Sequence, residues 1–95
     1  MRKSIHRPEF ARIVALLSAA RTGAGLTQVA LASRLRRTQG FVSSVERGDR
    51  RLDLLQTADW CEACGISMAS LGARIDKALA ESAPGPPAPP SKRKS

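Results

Sequence analysis

Two glutamines, each preceded by a threonine, have the residue type and spacing best suited to binding a ligand through hydrogen bonds. They form the dipeptides Thr27-Gln28 and Thr38-Gln39. A glutamine amide holds a hydrogen-bond donor beside an acceptor, so it can pair with both polar atoms that adenine presents in the major groove. A threonine just before a helix caps its first turn. The pattern therefore predicts two short helices whose first residues face a polar ligand such as a nucleic acid.

The elements that must position these residues are predicted to be helices only. Alanine and leucine are plentiful, β-branched residues are sparse and tyrosine is absent, which favours helices over strands. Apolar spacing and capping residues predict five helices. Their expected bounds are Pro8 to Thr22, Thr27–Leu35, Thr38–Arg47, Asp53 to Cys64 and Ser67 to Glu81. The two helices that carry the glutamines are joined by a turn at Arg36-Arg37, which is the spacing of a helix-turn-helix.

The apolar positions of each helix define a predicted core. It comprises Phe10, Ile13, Val14 and Leu17; Ala30, Leu31 and Leu35; Leu54, Leu55, Ala58, Cys61 and Cys64; and Met68, Leu71, Ile75 and Leu79. Trp60 is interpreted either as a core anchor or as part of a subunit contact. Residues 8–81 form the predicted domain, between a basic arm (1–7) and a disordered, Pro-rich basic tail (82–95).

The distribution of charge along the 95-residue chain is uneven, with a formal net charge of +8. Residues 21–51 carry seven arginines against two acidic residues, whereas residues 52–81 carry five acidic residues against two basic ones. This asymmetry indicates a polyanion-binding face beside a face for a partner or for solvent. We expect no transmembrane segment and no signal peptide, and hence a cytoplasmic protein with reduced cysteines.

The segment TQVALASRLRRTQGFVSSVERG, which begins at Thr27, resembles the helix-turn-helix of the XRE family of phage-repressor and Cro type. The resemblance covers roughly Pro8 through Leu79. It matches the family at the inner positions, which are Leu31 and Ala32 in the second helix and Val42 and Val45 in the third. It also matches the usual end of the recognition helix at Glu46-Arg47-Gly48. It implies a five-helix phage-repressor-like fold and a transcriptional regulator that binds double-stranded DNA. It also implies a structural ion pair between Arg21 and Glu46.

Three positions depart from the family pattern. Arg36 stands where the family usually has a glycine in the turn, and Arg37 stands where it has an apolar residue. Gly40 lies early in the recognition helix, where glycine costs up to about 1 kcal/mol of helix propensity. Gly40 also removes a side chain from a position that often reads bases.

The site residues expected from these arguments fall into two groups. Base edges are assigned to Gln39, Ser43 and Ser44, beside the bare position at Gly40. The DNA backbone is assigned to residues near the motif and beyond its second helix: Thr27, Gln28, Arg36, Arg37, Thr38, Arg47, Arg50 and Arg51. We expect a homodimer that pairs through its C-terminal helices, a repressor that reads a roughly palindromic site with the helix Thr38–Arg47.

Other functions receive less support from the sequence. Cys61 and Cys64 could suggest zinc or redox chemistry, but a zinc site needs four ligands and the only histidine, His6, is distant in sequence. We therefore interpret both cysteines as core residues and expect neither metal nor cofactor. No catalytic constellation is present, so an enzyme is not expected. Two alternatives stay open: an antitoxin-type regulator that binds a toxin or co-regulator through its C-terminal half, and a non-specific DNA-binding accessory protein.

Overall fold

The computed structural model describes residues 7–82, which form five α-helices with no strand in that range. The helices are α1 (Pro8–Gly23), α2 (Gln28–Leu35), α3 (Gln39–Glu46), α4 (Leu54–Cys64) and α5 (Met68–Ser82). The predicted all-α class and the five helices are confirmed. Apart from Arg7 and Ser82, the predicted basic arm and Pro-rich tail lie outside the described residues, so those two boundaries stay predictions.

Side-chain caps fix the beginnings of the later helices. The Asp53 carboxylate accepts a hydrogen bond from the N–H of Gln56 at 2.7 Å, and the Gln56 side chain accepts one from the N–H of Asp53 at 2.9 Å. This reciprocal arrangement is a capping box, which satisfies two backbone donors at once. Ser67 accepts a hydrogen bond from the N–H of Ser70 at 2.9 Å at the start of α5. Asp53 and Ser67, the first residues of the predicted bounds of these two helices, are therefore their N-caps.

The end of α3 differs by one residue from its predicted end. The helix stops at Glu46, and Arg47 is the C-cap rather than the last helical residue. Gly48 follows with φ of +81°, a left-handed conformation that glycine adopts without steric cost. The turn at Gly48 therefore ends the helix, as expected, and the N–H of the C-cap Arg47 still donates to the carbonyl of Ser43 at 2.9 Å.

The core is built around Trp60, which is completely buried. Its indole Nε1 donates a hydrogen bond to the backbone oxygen of Leu17 at 3.0 Å, so the polar end of the ring is satisfied. The other buried core residues come from all five helices: Leu17, Ala20, Leu31, Ala32, Val42, Val45, Cys61, Cys64 and Leu71. The structure thus places Trp60 in the core. Of the two alanines expected to face inward from α2, Ala32 is buried and Ala30 is half-buried.

The prediction that Leu54 and Leu55 belong to the core is wrong. Their side chains are 80% and 73% exposed. Leu55 lies on the same helical face as the exposed Glu62, two turns along α4. Leu54 lies at the rim of an open apolar groove of about 580 Å³ that runs between α1, α5 and the start of α4. The first turn of α4 therefore extends beyond the packed part of the bundle.

The apolar stripe of α5 is also only partly buried. Leu71 is buried and Ile75 is half-buried, but Met68 and Leu79 are 40% and 37% exposed. Ala78 follows Leu71 by two turns and so lies on the same face of the helix. It is therefore buried as well. The two large exposed side chains lie along the groove instead of inside the core.

No single helix within residues 7–82 has the length and hydrophobicity needed to cross a membrane; α1 and α2 reach them only as a pair bent by 94°.

Two polar contacts tie the bundle together across its surface. Arg12 on α1 pairs with Glu81 on α5 at 3.4 Å. Arg34 on α2 donates to the backbone oxygen of Ala63, near the end of α4, at 2.8 Å. These contacts hold α2 and α5 against their neighbours and so support the helix pair described next.

Candidate nucleic-acid interface

The turn between α2 and α3 is formed by a residue in the left-handed region. Arg36 has φ of 60° and ψ of 42°, and it is the only non-glycine residue with positive φ in the described part of the chain. The N–H groups of Arg36 and Arg37 donate to the carbonyls of Ser33 and Ala32, which closes the end of α2. A side chain in this conformation costs about 1–2 kcal/mol relative to glycine. The turn therefore keeps its usual shape with an arginine in place of glycine.

Threonines cap both helices of the motif. Thr27 Oγ1 accepts from the N–H of Ala30 at 3.0 Å, and Thr38 Oγ1 accepts from the N–H of Phe41 at 3.1 Å. Each cap satisfies one of the donors at a helix start that have no partner inside the helix. Both helix starts are thus fixed by the residue that precedes the glutamine.

An ion pair between Arg21 on α1 and Glu46 on α3 anchors the motif. Arg21 donates to both carboxylate oxygens of Glu46, at 2.6 and 3.0 Å, and to the carbonyl of Leu26 at 2.8 Å. Ser18 donates to the same carboxylate at 3.3 Å. The side chains of Arg21 and Glu46 are only 14% and 8% exposed. This is the residue pair that the family resemblance implied.

The protonation of Glu46 reflects two opposed effects. Burial raises the pKa of its carboxyl group, but hydrogen bonds from Arg21, Gln28 and Ser18, with the charge of Arg21, lower it by more. The resulting pKa of Glu46 lies below its ordinary value, and the pKa of Arg21 is raised by the same contact. Glu46 is therefore a carboxylate at neutral pH and acts only as a hydrogen-bond acceptor.

The two glutamines continue this network to the surface. Gln28 Nε2 donates to Glu46 Oε1 at 3.0 Å, and Gln39 Nε2 donates to Gln28 Oε1 at 2.7 Å. Because Glu46 can only accept, Gln28 must turn its NH₂ group inward and its oxygen toward Gln39. Gln39 must then offer its own NH₂ group to Gln28. Sequence reasoning had placed both residues on the interface but had not detected that Gln28 connects Gln39 to the ion pair.

The outer face of α3 brings together some of the expected base-reading residues. Gln39 and Gly40 are exposed, whereas Ser43 and Ser44 are half-buried. Ser44 donates its hydroxyl hydrogen to the carbonyl of Phe41 at 2.9 Å, so that donor is used within the helix. Ser43 accepts a hydrogen bond from Arg47. Of the three side chains expected to read bases, that of Gln39 is the exposed one.

The expected backbone-binding arginines lie on either side of α3. Arg47 pairs with Asp49 at 3.0 Å. Arg37 precedes the helix and Arg50 follows it, and their guanidinium carbons lie 4.6 and 5.3 Å from the centroid of the Phe41 ring. Arg51 lies 4.9 Å from the centroid of Phe10. Phe41 was not singled out from the sequence, although an aromatic residue between two groups of arginines is a signal that could have drawn attention to it.

The two cysteines are buried and so do not form part of this surface. Cys61 and Cys64 are free thiols in the core, and burial raises the pKa of both. Residues 7–82 contain no cluster of three or more side chains of the types that hold a metal ion. Both cysteines pack as small apolar residues, which is their predicted role.

Comparisons with known proteins place this geometry in a family. No protein-family model and no curated protein matches the sequence. An XRE-family like protein from Pseudomonas syringae pv. tomato has 39% identity and a TM-score of 0.70, over 79% of this chain and 92% of that one. The clp gene regulator ClgR from Corynebacterium glutamicum has 27% identity and a TM-score of 0.68, over 78% and 95% of the two chains.

A third solved structure is similar in fold alone. The restriction–modification controller protein C.Esp1396I, in a variant form, has 18% identity and a TM-score of 0.72, over 81% of this chain and 98% of that one. The first relative carries the assignment, because it exceeds a third in identity and is matched over nearly its whole length. The chain belongs to the XRE family of helix-turn-helix transcriptional regulators.

Proposed function

We propose that this protein is a sequence-specific transcriptional regulator that reads the major groove with α3 and acts as a homodimeric repressor. The relative ClgR is a regulator of the clp gene. Membership of the XRE family supports DNA binding as the general activity. The specific features of this proposal rest on the residues of this chain.

The observation that carries base reading is the orientation of the Gln39 amide. One N–H of its NH₂ group is donated to Gln28, which leaves the second N–H and Oε1 for a ligand. An acceptor beside a donor matches the N6 amino group and N7 of adenine, while guanine presents two acceptors there. The ion-paired Glu46 holds Gln28 in place and so discourages rotation of the Gln39 amide. The amide donor and acceptor of Gln39 are thus oriented to pair with adenine.

The DNA backbone is assigned to groups that surround α3. The exposed side chains of Arg36, Arg37, Arg50 and Arg51 supply charge, and Thr27, Gln28, Thr38 and Arg47 supply nearby polar groups. Ser43 and Ser44 are retained as secondary base contacts, and Gly40 leaves space for close approach of a base edge. Each phosphate that an arginine neutralises contributes about 0.9 to the slope of log affinity against log salt concentration.

The homodimer is proposed to form through the apolar surface at Leu54, Leu55 and the groove beside Met68 and Leu79. These side chains are among the most exposed large apolar residues of the described chain. A two-fold dimer repeats one patch on itself, and it would place two α3 helices about one helical turn of DNA apart. A dimer that occupies a promoter can block transcription without a surface for another protein, so we propose repression as the outcome.

Selection of random duplex DNA by the purified protein tests base reading. We expect an inverted repeat with half-sites about one helical turn apart and with an adenine that depends on Gln39. Gln39→Ala should weaken binding to the selected site by about 1–3 kcal/mol and relax the preference at that base pair. Thr22→Ala, at an exposed neutral polar residue near the end of α1, is the control. Enrichment of no sequence, or equal weakening on every duplex, would contradict sequence reading by Gln39.

Light scattering tests the dimer. The double variant Leu54→Ser/Leu55→Ser should shift the protein toward the monomer mass and weaken binding to the inverted repeat more than binding to one half-site. Val29→Ser, at a side chain 65% exposed on α2, is the control for loss of surface apolarity in the light-scattering measurement. A monomer mass of the unaltered protein, free and on DNA, would contradict the dimer. A reporter driven by a promoter with the selected site should lose expression, and a gain would contradict repression.

A further inference from the structure

Phe41 brings together two arginines that are distant along the chain. Arg37 belongs to the turn before α3, and Arg50 belongs to the loop after it, yet both guanidinium carbons lie within 5.3 Å of the centroid of the same ring. Each guanidinium group is thus within cation–π distance of the ring. The two charges are no more than about 10 Å apart. Phe41 itself is half-buried and packs against the core. The ring is thus a fixed platform on α3.

Neither arginine of this pair is neutralised by an ion pair in the described part of the chain. Within residues 7–82 neither Arg37 nor Arg50 forms an ion pair, whereas the nearby Arg47 pairs with Asp49. Two like charges held on one ring repel each other unless an anion lies close to both. An anion at this place would relieve the repulsion, and two anions at similar spacing would satisfy both guanidinium groups.

We infer that Phe41 positions Arg37 and Arg50 as a two-cation site for neighbouring phosphates of one DNA strand beside α3. The inference rests on the proposed DNA-binding function. Successive phosphates of one strand are 3.4 Å apart along the duplex axis and further apart in space, because the strand also turns about that axis. The distance between two neighbouring phosphates therefore falls within the limit of about 10 Å on the separation of the two charges. Stacking on the ring limits the rotamers of both arginines before DNA arrives, which reduces the entropy that binding must remove. Phe41 is therefore a positioning residue and does not contact a base.

The test compares Phe41→Leu with Phe41→Tyr on two duplexes, the selected site and an unrelated sequence. Phe41→Leu keeps an apolar side chain on the core but removes the ring. It should lower affinity about fivefold on both duplexes, and it should leave the salt slope unchanged because both arginines remain. Phe41→Tyr keeps an aromatic ring, so it should bind both duplexes with the affinity of the unaltered protein. Melting temperatures of all variants show whether each one folds, and Phe41→Met replaces Phe41→Leu if the latter does not fold.

A background without the two arginines decides whether the ring acts through them. In the variant Arg37→Ala/Arg50→Ala the salt slope should fall by about 2, and the additional effect of Phe41→Leu should shrink to less than twofold. Arg74→Ala on the exposed side of α5 is the control for loss of a positive charge. An equal loss from Phe41→Leu in both backgrounds would overturn the inference, and so would a loss confined to the selected duplex. Lack of sequence preference in the unaltered protein contradicts only the proposed function, because the ring effect is measured on any duplex.

Discussion

Replacing Arg21 by methionine should destabilise the domain far more than the loss of an ordinary surface ion pair. Methionine keeps the unbranched apolar stem of the side chain but removes three hydrogen bonds, two to Glu46 and one to the carbonyl of Leu26. Glu46 would keep only the donors from Ser18 and Gln28, in a side chain that is 8% exposed. A carboxylate in that position cannot recover its full hydration.

The size of the effect follows from the burial of both partners. Breaking a buried ion pair by removing one partner costs about 3–5 kcal/mol. Because the Arg21 side chain keeps 14% exposure, water can reach part of the vacated space, so we expect the lower end, about 3 kcal/mol. A domain of this size loses about 4–8 °C in melting temperature per kcal/mol. Arg21→Met should therefore melt about 12–24 °C below the unaltered protein.

Urea unfolding and thermal melting, followed by far-UV circular dichroism at one protein concentration and pH 7, measure this loss. Arg12→Met is the matched control, because the Arg12–Glu81 pair is 3.4 Å long and about half exposed, and it should cost less than about 1 kcal/mol. The double variant Arg21→Met/Glu46→Leu should recover much of the loss, since no unpaired carboxylate remains. If Arg21→Met were no worse than Arg12→Met, the pair would not be acting as a buried one.

Three further predictions concern the turn, the start of α3 and acid. Arg36→Gly should raise stability by about 0.5–1 kcal/mol, because relief of the positive φ contributes about 1–2 kcal/mol and the greater freedom of glycine in the unfolded chain offsets about 0.5–1 kcal/mol of it. The same variant should lower the salt slope of DNA binding by about 1, and unchanged binding would remove Arg36 from the interface. Gly40→Ala should raise stability by up to about 1 kcal/mol in urea unfolding, since its added carbon would meet only Thr38 Oγ1, at 3.7 Å; a loss of stability would show that the site is not open. Because the folded-state pKa of Glu46 lies below its ordinary 4.5, its stabilising contribution should be complete above that pH and be lost as the pH falls through the lower value. Glu46→Gln should flatten this acid limb, and an unchanged limb would assign it to other carboxylates.

Local signals along the chain predicted the helices and their caps well. Thr27, Thr38, Asp53 and Ser67 each cap the helix that follows, because a capping residue contacts N–H groups only two or three positions ahead. Such contacts do not depend on the rest of the fold. The family resemblance supplied the long-range pair of Arg21 and Glu46, which periodicity alone would not have indicated.

Features that depend on how the helices pack could not be predicted in the same way. Leu54 has the helical phase of the buried Cys61, yet it is exposed because the first turn of α4 extends past its neighbours. The contact of Arg37 and Arg50 with Phe41 depends on the turns at both ends of α3. Whether a periodic apolar residue is covered, and which distant side chains meet, is decided by tertiary placement.

The position of Gln28 also changes how α2 would meet a phosphate. Its side chain had been expected to hold the DNA backbone, but its amide already accepts from Gln39 and donates to Glu46, which leaves one N–H. Thr27 caps the N–H of Ala30, so the backbone N–H groups of Gln28 and Val29 stay available at the positive end of the helix. A phosphate bound there would contact the main chain of α2 while the Gln28 side chain orients Gln39. One residue would then couple backbone contact to base reading, and a change at Gln28 should weaken discrimination between adenine and guanine more than it weakens binding to unrelated DNA.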